Sequence, residues 1–260
     1  MAAPTLSDRC CNTPAVEAVW KNLGEDKVLS TKVNGEDRKV YRTGPKDSKT
    51  GIIGVYDIFG FHPSTYQFYD RLATAHGGFQ VSVPHWFKNG PPPKECFGDR
   101  PALMAWIAEH GSYSTSHFEE LILATIEDLR ADGCDSFVIY GQCWGTFIAV
   151  QAAAEEKLPI LAAGGPHPSM MSEEVISNVR CPIILLPAGD DMDMVPLIEK
   201  VNKEKKFAVE SFQHRFKNMK HGYTGARCDW TDAENFKAAM EAVHLLADFT
   251  EKVVKANKEK

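Results

Sequence analysis

Ser136-Phe137-Val138-Ile139-Tyr140-Gly141-Gln142-Cys143-Trp144-Gly145-Thr146-Phe147-Ile148-Ala149-Val150-Gln151-Ala152-Ala153-Ala154-Glu155 is the stretch whose reading decides the fold. After Ser136, its next four residues are β-branched or aromatic, which predicts a buried strand. Its last ten are helix-prone. Between them stands Gly-x-Cys-x-Gly, the arrangement of a nucleophile elbow with cysteine in the place more often held by serine. The glycines let the chain turn sharply, so the central side chain is presented at a strand end beside a helix N-terminus. Unpaired N–H groups and the helix dipole there favour a thiolate. A buried, inert cysteine in a Gly-rich turn is the competing reading. The residues downstream of the turn decide between the two.

A nucleophile at such a turn needs a base, and the base needs an orienting acid. Cys181-Pro182-Ile183-Ile184-Leu185-Leu186-Pro187 predicts a buried strand, and Asp190, Asp191 and Asp193 come directly after it. A carboxylate there lies at the C-terminal edge of an open sheet, where such folds place their sites. Lys206–Phe212 alternates like a strand. The loop behind it carries Lys220-His221-Gly222-Tyr223, and a Thr231-x-x-Glu234 capping box opens the last helix. Nucleophile, acid and base thus come in the order expected of such elbows, each behind a strand. The residues alone leave all three aspartates open as the acid.

Outward from this framework the pattern is strand, helix, strand. Lys27–Val33 and Lys39–Tyr41 predict a leading hairpin about Asn34-Gly35. Gly51–Asp57 and Phe79–Val83 predict strands joined by a crossover helix over Thr65–Ala75, which implies a parallel sheet. Pro84–Pro93 leaves a strand end and should pass near a pocket. Trp86 and Phe87 are candidate pocket walls, with loop packing as the alternative. Lys88 is a candidate for a substrate carboxylate, with a solvated lysine as the alternative. Phe118, Leu121, Ile122, Ile126 and Leu129 line one face of a helix behind a Ser116-x-x-Glu119 box. Pro159–Ala163 predicts a short strand. His167 lies just past it, facing either the pocket or a structural hydrogen bond. The last helix, 232–256, places Phe236, Met240, Val243, Leu246 and Phe249 largely on one face.

The 260 residues suit one α/β domain over 1–260, with residues 1–25 peripheral, and 43% apolar residues suffice for a buried sheet. A net charge of −6 without a dense basic run argues against nucleic acid. Lys200–Lys206 is mixed in sign and reads as a solvated helix face. No apolar run of membrane-spanning length and no secretory h-region occur. Seven cysteines without a framework spacing read as a reducing, cytoplasmic setting. Cys10-Cys11 read as part of a disordered or packed N-terminal segment. No His/Cys spacing matches a zinc motif, so neither metal nor cofactor is expected and the nucleophile must be protein-derived.

The chain resembles the dienelactone hydrolase family of α/β-hydrolases over roughly residues 25–255. The elbow is similar to the family's Gly-x-Cys-x-Gly. Val55-Tyr56-Asp57-Ile58-Phe59-Gly60 resembles its Glu-Ile-Phe-Gly segment. Gly189-Asp190-Asp191 with Val195-Pro196 resembles its acid loop, and His221-Gly222-Tyr223 its base loop. Gly165-Pro166-His167-Pro168-Ser169 is similar to a segment of the eukaryotic branch, including fungal members. The resemblance implies an α/β-hydrolase fold, a mostly parallel sheet with helices on both faces. It implies Cys143 as nucleophile, His221 as base and Asp191 as acid, with the backbone N–H groups of Ile58 and Trp144 as oxyanion hole. Three residues instead of the family's two separate Asp191 from Val-Pro, which keeps Asp190 and Asp193 as alternatives. Asp57 stands where bacterial members carry a thiol-contacting glutamate; the alternative is a cap on the helix near Pro63. Arg227 is the candidate for the family's carboxylate-binding arginine, and Tyr223 and His167 are further candidates for binding substrate.

Thiolate is a good leaving group, so acyl transfer to it succeeds only when the departing oxygen is also a good leaving group. Activated esters and enol lactones meet that condition. The expectation is therefore a carboxylic ester hydrolase acting on a small ester or lactone, as a monomer or homodimer. A carboxylesterase or thioesterase of other substrates, and a non-catalytic binding or redox-sensing protein, are the alternatives.

Overall fold

The computed structural model describes residues 13–114 and 116–259; Cys10 and Cys11 lie outside them. Eight strands form one sheet in the order β1-β2-β4-β3-β5-β6-β7-β8. These are β1 Glu25–Val28, β2 Lys39–Thr43, β3 Thr50–Val55, β4 Gln80–Pro84, β5 Ser136–Gly141, β6 Ile160–Pro166, β7 Ile183–Leu186 and β8 Phe212–Gln213. From β4 to β8 neighbours pair in parallel, while β2 runs antiparallel to both β1 and β4. The leading hairpin turns at Asn34 and Gly35, both at positive φ (49° and 76°), and the Val33–Glu36 bridge closes it.

The helices are α1 Pro63–Thr74, α2 Arg100–His110, α3 Phe118–Ala131, α4 Trp144–Ala152, α5 Glu173–Ser177, α6 Val195–Glu204 and α7 Ala233–Lys258. They cover both faces of the sheet. A Cβ on Gly51 of β3 would meet Leu129 of α3, whereas one on Gly54 would meet Tyr69 of α1. Positions 51 and 54 differ in parity, so α3 and α1 lie on opposite faces. The apolar stripe predicted for α3 is fully buried. None of these helices is long and apolar enough to cross a membrane.

Several local expectations are corrected. Lys206–Phe212 is not a strand: its backbone is irregular, Asn202 and Ser211 exchange hydrogen bonds, and the ladder begins only at Phe212. Ser116 does not cap α3. The N-cap is His117, in a left-handed conformation with no side-chain cap bond. Asp232, not Thr231, caps α7 by accepting from Asn235 N. On α7, Val243, Leu246 and Phe249 are buried but Phe236 is exposed; small residues such as Ala239 and Ala242 form the rest of the seam. Residues 13–24 carry no regular structure yet are docked. Val16 N donates to Ala226 O (3.1 Å), and Trp20 Nε1 and Leu23 N donate to the buried Asp70 carboxylate (2.7 and 3.0 Å).

Candidate active site

The turn between β5 and α4 is built from close backbone approaches. A Cβ on Gly141 would fall 2.0 Å from Gly145 O, and one on Gly145 would fall 2.3 Å from Val55 O. Only glycine fits either place. Between them Cys143 takes φ 55° and ψ −117°, a strained conformation for a non-glycine residue, as N-cap of α4. Thr146 Oγ1 ties the turn to Gly141 O (2.7 Å) and Pro166 O (3.2 Å).

The loop with the three aspartates comes after β7. Asp191 Oδ2 accepts Ala188 N (2.8 Å), and Asp191 Oδ1 lies 2.6 Å from His221 Nδ1, both side chains 2% exposed. Asp190 takes a different place, its Oδ1 accepting the backbone N–H of His221 at 2.7 Å. Asp193 is turned to Val195 N (3.1 Å) with its side chain 66% exposed, and does not join the cluster. Arg215 staples the loop from outside, donating to the carbonyls of Ala188, Asp191 and Met192. This arginine carries no signal in the sequence, because its partners are backbone atoms.

His221 and His167 converge on the cysteine. Cys143 Sγ and one ring nitrogen of each histidine lie within 4.8 Å of one another, all three residues buried. His167 Nε2 pairs with Thr224 Oγ1 (2.9 Å), and its ring meets that of His221 with centroids 5.0 Å apart. Gln142, inside the elbow, donates to Thr224 O and Oγ1 (2.7 and 3.1 Å), pinning the base loop to the elbow. Ser169 Oγ stands 3.7 Å from Cys143 Sγ. Ser169 belongs to the His-Pro-Ser segment, but its spacing does not mark it as a neighbour of the thiol; Thr224 and Gln142 carry no sequence signal. Burial works to lower the His221 imidazole, but a negative Cys143 sulfur and Asp191 outweigh it, and its pKa is pushed up to about 10. Burial holds His167 below the usual imidazole range despite the sulfur beside it.

Asp57 does not cap α1; His62 does, accepting from Ser64 N. The Asp57 carboxylate instead accepts Phe59 N (2.9 Å) and Ala226 N (2.8 Å), and is 3% exposed. Burial first, and the Cys143 sulfur second, push its pKa up to about 6. Gly225 leaves it room, since a Cβ there would fall 2.3 Å from Asp57 Oδ2. The amides next to the elbow are engaged: Cys143 N with Pro166 O, Gly145 N with Gln142 O, Phe59 N with Asp57 Oδ1. The amides of Trp144 and Ile58 have no acceptor among the described residues.

The remaining candidates lie further out. Trp86 is buried, its indole N–H on Gly54 O (2.9 Å). Phe87 packs on Trp144 with centroids 4.6 Å apart. Lys88 is paired with Glu36 (2.7 Å). These three line a cavity of about 350 Å³ that includes none of Cys143, His167 and His221. Tyr223 is buried, donating to Leu186 O (3.2 Å) behind His167. Arg227 donates to Thr13 O (2.7 Å) with its guanidinium over Phe59, and its charge reaches Asp57.

The model of the dienelactone hydrolase family matches residues 39–254. An uncharacterised AIM2 family protein of Schizosaccharomyces pombe is 29% identical over 211 residues, covering 76% of this chain and 81% of its own length. Dienlactone hydrolase 1 of Gibberella moniliformis is 24% identical over 242 residues, covering 84% of this chain and 87% of its own. Among solved structures, a candidate dienelactone hydrolase of Klebsiella pneumoniae superposes with a TM-score of 0.65 at 18% identity, covering 87% of this chain and 99% of its own. The Pyrococcus horikoshii acylaminoacyl peptidase superposes with a TM-score of 0.59 at 13% identity, over 88% of this chain and 41% of its own. The sheet order, the single antiparallel strand β2 and the turn after β5 are those of an α/β-hydrolase, and with the family model spanning most of its length the chain belongs to the dienelactone hydrolase family.

Proposed function

We propose that the protein hydrolyses activated carboxylic esters or enol lactones through a thioester on Cys143. The observation that carries this reading is the strained Cys143 clustered with the His221 imidazole, whose Nδ1 is bonded to the buried Asp191 carboxylate. In the first step the Cys143 sulfur attacks the carbonyl carbon. The oxyanion is received by the N–H groups of Trp144 and Ile58, which have no acceptor among the described residues. His221 gives its proton to the departing oxygen as the thioester forms. In the second step His221 takes a proton from water as it attacks the thioester carbonyl, and Cys143 leaves as thiolate. Asp191 holds the ring's orientation and balances its charge in both steps. Asp57, close to the sulfur and with its pKa near neutrality, is placed to exchange a proton with the resting thiol.

The substrate class is set by leaving-group chemistry. Thiolate expulsion competes with loss of the oxygen group, so only a stabilised oxyanion such as an enolate or aryl oxide departs productively. The buried, paired cluster favours a small substrate. The free thiols at Cys96, Cys134, Cys143, Cys181 and Cys228 suit a reducing, cytoplasmic setting. The test is a comparison of kcat/KM for an enol lactone, an aryl ester and an acyl thioester, with wild type and Cys143→Ala. Preference for the first two, lost in the variant, supports the proposal. Preference for thioesters assigns a thioesterase on the same scaffold, and no turnover of any assigns a binding or redox role.

A further inference from the structure

His167 and His221 share an arrangement that a Cys-His-Asp triad does not require. Each imidazole has one nitrogen engaged by an oxygen: Thr224 Oγ1 for His167 Nε2 (2.9 Å) and Asp191 Oδ1 for His221 Nδ1 (2.6 Å). Each leaves its other nitrogen, His167 Nδ1 and His221 Nε2, buried and with no hydrogen-bond partner among the described residues. One nitrogen of each ring and Cys143 Sγ lie within 4.8 Å of one another, and His167, His221 and Cys143 are 0%, 5% and 3% exposed. Two buried imidazoles gathered around one sulfur, each with a nitrogen to spare, are the donor set of a soft-cation site. Once His221 gives up its proton, the neutral tautomers that donate to Thr224 and Asp191 leave lone pairs on His167 Nδ1 and His221 Nε2.

We propose that Cys143, His167 and His221 form a three-ligand site for a thiophilic divalent cation of the zinc class, whose binding reversibly blocks the cysteine. A thiolate and two imidazoles satisfy three positions of a tetrahedral ion and leave the fourth to water. With metal–sulfur and metal–nitrogen bonds of about 2.3 and 2.0–2.1 Å, neighbouring ligand atoms stand about 3.5 Å apart. The cluster's widest separation exceeds that by little more than about 1 Å, within the reach of small ring rotations. Asp191 behind His221 is the carboxylate–histidine pairing that orients metal-bound imidazole. The buried carboxylates of Asp57 and Asp191 offset the cation's charge. Hard cations are disfavoured, because the three donors include no oxygen. Occupancy requires the ligands to lose their protons, so affinity rises with pH. The blocking of catalysis rests on Cys143 being the nucleophile; the binding does not.

The experiment uses the full chain, with Co²⁺ as spectroscopic probe and Zn²⁺ as inhibitor of aryl-ester hydrolysis. The expected result is a sulfur-to-cobalt charge-transfer band at one equivalent, displaced by Zn²⁺, with inhibition that a chelator reverses. Cys143→Ser removes the band. His167→Gln, checked for native near-ultraviolet circular dichroism, weakens Co²⁺ binding by at least about 10-fold, since losing a direct ligand costs no less than losing an outer-shell partner. Absence of the band in wild type, or unchanged affinity in a folded His167→Gln protein, overturns the site. A normal band in a wild-type protein without hydrolase activity upholds the site and brings down the functional reading instead.

Discussion

Changing each of the three aspartates after β7 to asparagine separates roles that the sequence left open. Asp191 has its carboxylate 2.6 Å from His221 Nδ1, with both side chains 2% exposed. Removing one partner of a buried ion pair costs about 3–5 kcal/mol. At about 1.4 kcal/mol per decade, a loss of that size in the transition state lowers kcat/KM by about 10²–10⁴-fold. An amide can also hold the ring in the wrong tautomer, which acts in the same direction. Asp190 accepts the backbone N–H of His221. Its change to asparagine keeps an acceptor but removes the charge, which costs up to about 1.5 kcal/mol of stability, with a loss of activity of no more than about tenfold. Asp193, exposed and turned to Val195 N, has no effect beyond about twofold. The assay is kcat/KM for an aryl ester at pH 8, with urea unfolding run alongside to separate catalysis from stability. An Asp190→Asn enzyme less active than Asp191→Asn would refute the assignment, as would an Asp191→Asn enzyme within tenfold of wild type.

The pKa of Asp57, raised from 3.8 to about 6, means that the folded state holds this proton more tightly than the unfolded chain. Its contribution to stability is therefore full below about pH 4 and is lost as pH rises through about 6, a swing of about 3 kcal/mol. Asp57→Asn removes that dependence. The unfolding free energy of the variant relative to wild type should rise by about 2–2.5 kcal/mol between pH 4 and pH 7, and a difference independent of pH contradicts the cause given. Gly225→Ala pushes a methyl group against Asp57 Oδ2. It should cost about 1–3 kcal/mol in thermal or urea unfolding. The same change in an Asp57→Ala background should cost less, and strict additivity would count against the contact.

The elbow is legible because its glycines are dictated by backbone approaches of about 2 Å, a constraint that leaves a mark in the sequence itself. His221 is legible as a histidine behind a late strand, though the expected strand lies too early. Lys206–Phe212 alternates as a strand would, but the edge strand is only two residues long, and contacts between Asn202 and Ser211 hold the preceding chain. The choice among Asp190, Asp191 and Asp193 depends on which way a short loop turns, and Arg215 helps set that through carbonyls that any sequence would supply. Helix α2 is hidden behind the prolines at 91–93, although Asp99 as N-cap and Pro101 in the first turn are start signals. The convergence of His167 on Cys143 joins residues from different strand ends and has no local pattern to reveal it.

The most direct test of Cys143 as a turning-over nucleophile is the intact mass of the protein, tracked over time after mixing with an enol lactone or an aryl ester. Wild type is predicted to gain the mass of one acyl group and lose it again as product appears, while Cys143→Ala gains none and makes no product. Product formed at an undiminished rate by Cys143→Ala, or by wild type with an acyl group on a different residue, would contradict it.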